Sequence, residues 1–564
     1  MFYKIIKKLI LLIIIFVSLL NIFAFAENML NTSADILTVA NSFNFVKEPG
    51  FNPNPDIPPL VFENYSAYGL TQGQDISGRL NLYCNLLTDK KYSGNVQLSA
   101  FNYYGDPRIT YFWGAFPPYM PSGITFNQMY ANNSRGGLQA ENIQFNYDDK
   151  LKLNASYGTY RPTNFSQLVY YGVVGPGIWA PDSSPLRGFN IKGSYDDTFN
   201  FELIQAENLT WTGACPSHVF TFDSPYDIFA SSYYTNTEGF VSKLYGAVWG
   251  LENKKSSLNM SYVKIYEDTS TNINSSLIPK EEKIYNIKGN YKLIDNALNL
   301  NAELAKSYFS LNSIDTASSI PASAYILGIN GILKNIFYEL NYSKINGNYE
   351  PLNFRKIFTN TAEGAYIESW YVSNRIGYNG RLGYNFSNEK GNASIGFASF
   401  DQILPVNSAD IETTIGSYTG FQDHDFSFDS TDKGKVSYYD IGGIYNITDN
   451  LSADIRLIKF NFARAYPGYF SNLSKIFSNI SFNYTMNENL SCGLIFRTAS
   501  NKGIDDSGIL ANNLLSIPGI SVKYQVNDSF EAGAYIRSFQ KGDFQDDTFS
   551  YFNNNMTVYS KFSF

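Results

Sequence analysis

Alternation with a period of two runs through this chain almost from end to end. The stretch "RIGYNGRLGYNF", residues 375–386, shows it plainly. Ile376, Tyr378, Leu382, Tyr384 and Phe386 occupy one set of alternate positions, and Arg375, Asn379, Arg381 and Asn385 the other. Successive side chains of a strand point to opposite faces, so this segment presents one oily, aromatic face and one polar, cationic face. A helix would scatter both sets around its circumference.

The unit recurs with a turn attached. "YKLIDNALNLNAE" from Tyr291, "YNITDNLSADIRL" from Tyr445, "YTMNENLSCGLIF" from Tyr484 and "YQVNDSFEAGAYI" from Tyr524 share one design. Each has a tyrosine, an apolar residue two places on, Asn/Asp turn chemistry, then a restart of the alternation. Asn and Asp tolerate the backbone of tight turns, so these are hairpins. The other ends of the hairpins carry long connections rich in Pro, Gly, Ser and Asp, at about 104–136, 162–185, 210–240, 347–372 and 403–435. Tight turns at one end and long loops at the other characterise a transmembrane barrel, with the turns facing the periplasm. Runs of about ten residues suffice to cross a hydrocarbon core at a tilt. The tyrosines next to the turns would then stand at one lipid–water boundary, where a half-solvated ring is stable.

Composition narrows the class further. The chain holds 44 Phe and 44 Tyr, while only 16% of its residues are charged, against about 25% in an average soluble domain. So many aromatics exclude a disordered chain, and a net charge of −8 argues against a dedicated nucleic-acid binder. Only the N-terminus has a long apolar run. There "MFYKIIKKLILLIIIFVSLLNIFAFAEN" joins Lys4, Lys7 and Lys8 to an apolar core and an Ala24-Phe25-Ala26 exit. This is the layout of a secretory signal peptide over residues 1–26. Residues 27–59 end in the Pro-rich "EPGFNPNPDIPPL" and read as a periplasmic N-terminal connector. Residues 60–564 read as one antiparallel barrel of about 18 to 22 strands.

The last strand carries a resemblance. "MTVYSKFSF" ends on Phe564, with Phe562, Val558 and Met556 on the same face. It resembles the terminal strand of Gram-negative outer-membrane barrel proteins, in which the final aromatic and its alternating partners are read by the barrel-assembly machinery. Ser560 departs from the pattern, where that family often has Tyr. The resemblance implies Phe562 and Phe564 as an assembly signal, a porin-like barrel, residence in the bacterial outer membrane, and contact with outer-membrane lipid.

If the apolar set faces lipid, the other set names the lumen. The inward cations are then Arg79, Lys152, Lys192, Lys288, Lys292, Arg375, Arg381, Arg456, Lys475, Arg497, Lys523 and Arg537. The inward acids are Glu202, Glu303, Glu339, Asp440, Asp454 and Glu531. Wall charge governs which solutes enter a pore, so this excess of cations suggests a channel for small hydrophilic solutes or ions with anion preference. The plainer alternative is that the cations only pair with lumen acids. Two loops are candidates for an inward constriction: 210–240, with Trp211, Asp223, Asp227 and Glu238, and 104–136, with Trp113.

Enzymatic chemistry finds little support. The only histidines are His218 and His424, and residues adjacent on a strand point apart, so Ser217 and Asp423 are poor partners for them. No zinc spacing, phosphate-cradling loop or dinucleotide fingerprint occurs. The three cysteines define no disulfide framework. No cofactor and no metal are expected. The alternative to a channel is a non-conducting surface barrel with an adhesive or envelope-structural role.

Overall fold

A computed structural model describes residues 30–47, 73–87, 91–105, 134–160, 164–166, 168–169, 186–196, 198–207, 241–268, 281–310, 319–346, 349, 375–387, 390–403, 434–466, 469–504, 510–545, 547 and 550–564. Residues 1–26, expected to be a signal peptide, His218, His424, Cys215 and most of the long connections lie outside these residues.

The alternating segments form 22 strands. In chain order the first eight are β1 (Leu30–Lys47), β2 (Gly73–Leu87), β3 (Tyr92–Gly105), β4 (Ser134–Asp148), β5 (Leu151–Tyr160), β6 (Leu186–Tyr195), β7 (Phe199–Glu207) and β8 (Val241–Glu252). Then come β9 (Ser256–Asp268), β10 (Glu281–Ile294), β11 (Leu298–Ser310), β12 (Ser319–Leu333), β13 (Ile336–Ile345), β14 (Arg375–Asn385) and β15 (Gly391–Gln402). The last seven are β16 (Lys435–Thr448), β17 (Leu451–Tyr466), β18 (Tyr469–Asn487), β19 (Leu490–Ile504), β20 (Leu510–Asn527), β21 (Phe530–Asp543) and β22 (Tyr551–Ser563).

Each strand pairs antiparallel with its neighbours in the chain, and β1 also pairs with β22, from Asp35↔Ser563 to Lys47↔Phe552. Closure leaves no edge, which matters because an unpaired ladder of N–H and C=O groups is prohibitive in hydrocarbon. The seam is completed by reciprocal bonds, Ala34 N–H to Phe564 O at 2.7 Å and Phe564 N–H to Ala34 O at 2.9 Å.

Here the structure corrects the sequence reading. Residues 30–47, placed in an N-terminal connector, are the strand that closes the barrel. The Pro-rich segment beyond them belongs to the β1–β2 connection, at the long-loop end. The physical reason is that both faces of β1 mix apolar and polar residues: Ile36 lies outside with Thr38, while the buried Leu37 and Val39 share the inner face with Asp35, which accepts from Asn81 at 2.7 Å. A strand mixed on both sides shows no period-two signature.

Elsewhere the two faces separate as the alternation implies. Leu304, Leu327, Leu382, Ile395, Ile441, Leu494 and Ile520 all point outward and are exposed. So contiguous an apolar surface on a closed barrel is a lipid-facing belt. Beside the short turns, Tyr195, Tyr291, Tyr384, Tyr445, Tyr484 and Tyr524 form an exposed outer girdle. The tightest turns use residues that accept positive φ, Asp196 at 52° and Asn296 at 58°.

Candidate functional site in the barrel interior

The inner wall is built by the residues between the lipid-facing ones, and it has two zones. Towards the short turns it is wet and polar. One cavity of about 860 Å³ is lined by Lys288, Asn290, Asn301, Asn330, Glu339 and Arg381 among others. A second, of about 720 Å³, is lined by residues that include Asn146, Lys152, Asn154, Asn164, Lys192 and Asn200. Asparagines run around this wall as cross-strand rungs: Asn154 donates to Asn146 at 2.5 Å, Asn299 to Asn330 at 3.0 Å, and Asn341 to Asn379 at 3.2 Å. A carboxamide both donates and accepts, so such rungs link strands and still offer groups to water.

Inward glycines let these side chains lie flat. A Cβ at Gly328 would collide with the carboxamides of Asn301 and Asn341, and one at Gly250 with those of Asn200 and Asn259. The wall is thereby thinned and the lumen widened at those rungs.

Charges on the wall are mostly paired. Asp440, buried, accepts from Arg456 Nη2 at 3.0 Å, and Arg381 Nη2 stands 3.6 Å from the same oxygen. Arg381 also lies opposite Glu339 in the β13–β14 register. Lys523 is 2.8 Å from Glu531, which accepts the Tyr559 hydroxyl at 2.9 Å. Lys192 stands 3.5 Å from Glu202. Asp454 occupies the inward position one rung below Arg456 on β17.

Four of the cations expected to line open space face inward but are covered: Arg375, Lys475, Arg497 and Arg537. Arg497 Nε donates to Asn479 at 2.8 Å and Arg537 Nε to Asn555 at 2.6 Å. The Arg375 guanidinium lies 5.6 Å from the Phe400 ring centre, a cation–π arrangement. Burial is tolerable for these guanidinium groups because hydrogen bonds and ring faces replace water. Lys152, Lys288, Arg381 and Lys523 retain solvent access on the wall. The side chain of Arg79 lies outside the described residues.

Towards the long connections the wall of β7–β13 turns apolar. Ile204, Leu244, Val248, Val263, Ile265, Ile284, Ala305, Ala324, Ile326 and Ile345 all face inward and are buried. They are covered by Phe165, Leu168 and Val169 from the β5–β6 connection and by Tyr349 from the β13–β14 connection. The inward segment is pinned by wall carboxylates. Glu202 accepts Asn164 N–H at 2.9 Å and Asn190 Nδ2 at 2.9 Å. Glu303 accepts Leu168 N–H at 3.0 Å and Asn286 Nδ2 at 3.0 Å, and the Tyr349 hydroxyl donates to Leu168 O. Each buried aliphatic side chain such as Leu168 contributes about 1.5–3 kcal/mol to holding the segment against the wall.

Sequence reasoning missed this internal packing. It assigned apolar residues to lipid and polar ones to the lumen, whereas strands such as β8, "VSKLYGAVWGLE", are apolar on both faces. Such a continuous apolar run was the available signal. The loop residues proposed for a constriction, Trp113, Trp211, Asp223, Asp227 and Glu238, lie outside the described residues. Phe562 and Phe564 face outward at the seam with ring centroids 5.5 Å apart. Among the described residues, no group of three or more His, Cys, Asp or Glu gathers as metal ligands would. Cys84 and Cys492 are free thiols.

No family model matches the chain, and no curated protein matches it. The structure is similar to several solved ones. The outer membrane channel DcaP of Acinetobacter baumannii is 9% identical, with 95% of this chain and 97% of that chain covered and a TM-score of 0.32. OprD of Pseudomonas aeruginosa is 9% identical, with 95% of each chain covered and a TM-score of 0.39. The ferric enterobactin receptor PfeA of Pseudomonas aeruginosa is 12% identical, with coverage of 95% and 81% and a TM-score of 0.47. Likeness at this level carries no functional inference.

Proposed function

We propose that this protein is an outer-membrane channel through which small hydrophilic solutes and ions diffuse passively. The observation that carries the reading is the inversion of polarity across the wall. A closed cylinder is oily outside and, over the half next to the short turns, lined inside by asparagine rungs and solvated charges. Such a wall offers a water-filled path without bond-making chemistry. The short turns face the periplasm and the long connections face outside, following the polarity of bacterial barrels. Export by residues 1–26 and assembly through Phe562 and Phe564 belong to the same reading.

The narrow zone is formed by the segment around Leu168, held by Glu202 and Glu303, with Tyr349 against it. Below it, the solvated cations Lys152 and Lys288, with Arg381 and Lys523 held beside their acids, favour a moderate anion preference. Purified protein in planar bilayers is expected to give discrete conductance steps and a reversal potential shifted towards anions in a salt gradient. Cation selectivity would remove the anion preference; a folded barrel without any steps would remove the channel.

One observation favours a second reading. Leu168 and Tyr349 are wholly buried inside the cylinder, as expected of a surface barrel that is plugged and works through its loops. The same recording separates the two, because a plugged barrel stays silent.

A further inference from the structure

We propose that the outward face of β9–β11, at the end carrying the long connections, binds the phosphates of a multiply phosphorylated glycolipid in the outer leaflet. This rests on the membrane placement proposed above. Lys264, Lys283 and Lys306 occupy outward positions on three adjacent strands, and Lys283 lies directly opposite Lys264 in the register. Like charges directly opposite one another on a sheet are destabilising. The pair is held by Glu281, whose Oε2 lies 2.6 Å from the Lys264 ammonium and Oε1 2.6 Å from that of Lys283. One carboxylate against two lysines, with Lys306 one strand further on, leaves a local excess of positive charge. Each ammonium has three donors, so Glu281 orients them without exhausting them.

The surroundings suit a lipid headgroup. Tyrosines interleave with the lysines: Lys264 stands 5.2 Å from the Tyr266 ring centre, and Lys306 4.9 Å from that of Tyr308. Tyr262 and Tyr285 pack between them with centroids 5.0 Å apart. Directly below, on the same outward face, Met260, Ile287 and Leu304 are exposed and apolar. Lys264 and Lys283 stand one level above Tyr262 and Tyr285, and Lys306 is level with those tyrosines; cations and rings over an aliphatic band follow the order of headgroup and acyl chain across a leaflet. Three strands span roughly 10 Å from Lys264 to Lys306, which fits two phosphates on one sugar core better than a single phosphate.

Other outward lysines at this end stand differently: Lys435 is 4.0 Å from Asp401, and Lys344, Lys459 and Lys502 stand singly, with uncharged residues across the register on both sides. Among the described residues, β9–β11 are where outward lysines fall on three consecutive strands.

The test uses the full chain in nanodiscs of neutral phospholipid doped with diphosphorylated lipid A, with its dephosphorylated form, or with phosphatidylglycerol, and reads retained lipid by native mass spectrometry. Diphosphorylated lipid A is expected to be retained selectively. The triple variant K264Q/K283Q/K306Q is expected to lose affinity on the order of 100-fold, from about fivefold per lysine, while K435Q stays unchanged. E281Q, which removes the counter-charge, is expected to bind about fivefold more tightly, and serves if the triple variant does not fold. Equal retention of the dephosphorylated lipid or of phosphatidylglycerol, displacement by inorganic phosphate at the lipid's own concentration, or weaker binding by E281Q would overturn the proposal. Channel recordings on the triple variant, expected to match the unsubstituted protein, separate failure of the lipid site from failure of the channel.

Discussion

The Glu303 carboxylate on β11 accepts the backbone N–H of Leu168 at 3.0 Å, joining positions 135 residues apart. That bond attaches a connecting segment to the inside of the cylinder, where it covers aliphatic wall residues that would otherwise face water. Replacing the acid by leucine leaves Leu168 N–H and Asn286 Nδ2 without an acceptor. Each unmet buried donor costs about 1–3 kcal/mol, comparable to what burial of Leu168 contributes. Glu303→Leu is therefore expected to loosen the inward segment, raising single-channel conductance and exposing the sequence around Leu168 to added protease. Unchanged conductance and protection would show that apolar packing alone holds the segment.

Asp440 sits between Arg456 and Arg381, at 3.0 and 3.6 Å. Asp440→Asn keeps the shape but removes the charge that neutralises both. Two cations then act on the lumen, and the reversal potential in a salt gradient should move further towards anions. Arg381 is about half exposed, so its share of the stability loss should be small; most of the loss should come from the Arg456 pair, whose acid is buried. Movement towards cations would contradict this assignment.

Leu304 projects from the middle of β11 into the outer belt, while Asn301 on the same strand faces the lumen. Leu304→Arg is expected to destabilise the barrel by about 1–2 kcal/mol in lipid vesicles, between the values for a cation at the bilayer midplane and near the interface. Asn301→Arg should cost far less, because water solvates it. Equal losses in urea unfolding would mean the two faces had been exchanged.

At the short-turn end, Lys91 Nζ donates to Asp149 at 2.6 Å. That hydrogen bond is the main cause holding the Asp149 carboxyl below its ordinary value, and it raises the Lys91 ammonium above its own. A depressed folded carboxyl gives stability that is present above the unfolded Asp value of about 4 and is lost as pH falls through the lower folded value. The raised lysine gives stability present below about 10.4, lost as pH rises through its higher folded value. Thermal unfolding in detergent should thus show slightly shallower acid and alkaline limbs in Asp149→Asn. Both side chains are solvent-exposed, so the difference should shrink in high salt.

Much of the barrel was legible in the chain. Residues 375–386 alternate because one face meets lipid and the other meets the lumen, and Tyr384 takes the girdle position that its place beside the turn implies. Turn chemistry at "IDNA" and "TDNL" set the hairpins, since local φ/ψ preference needs no distant partner. β1 was not legible. Its two faces, each a mixture of apolar and polar residues, become distinct only when β2 and β22 pair with it and fix which side is inside.

The sequence by itself determined a two-faced, edge-pairing strand and its tight turns, because a period of two and the backbone preferences of Asn and Asp act within a few residues. Only the tertiary structure decided which inward cations are wetted. Arg381 remains open to solvent while Arg375, six residues away on the same face, is wholly buried against Phe400. Solvation inside a cylinder depends on what the connections bring in, and that is a relationship between residues far apart in the chain.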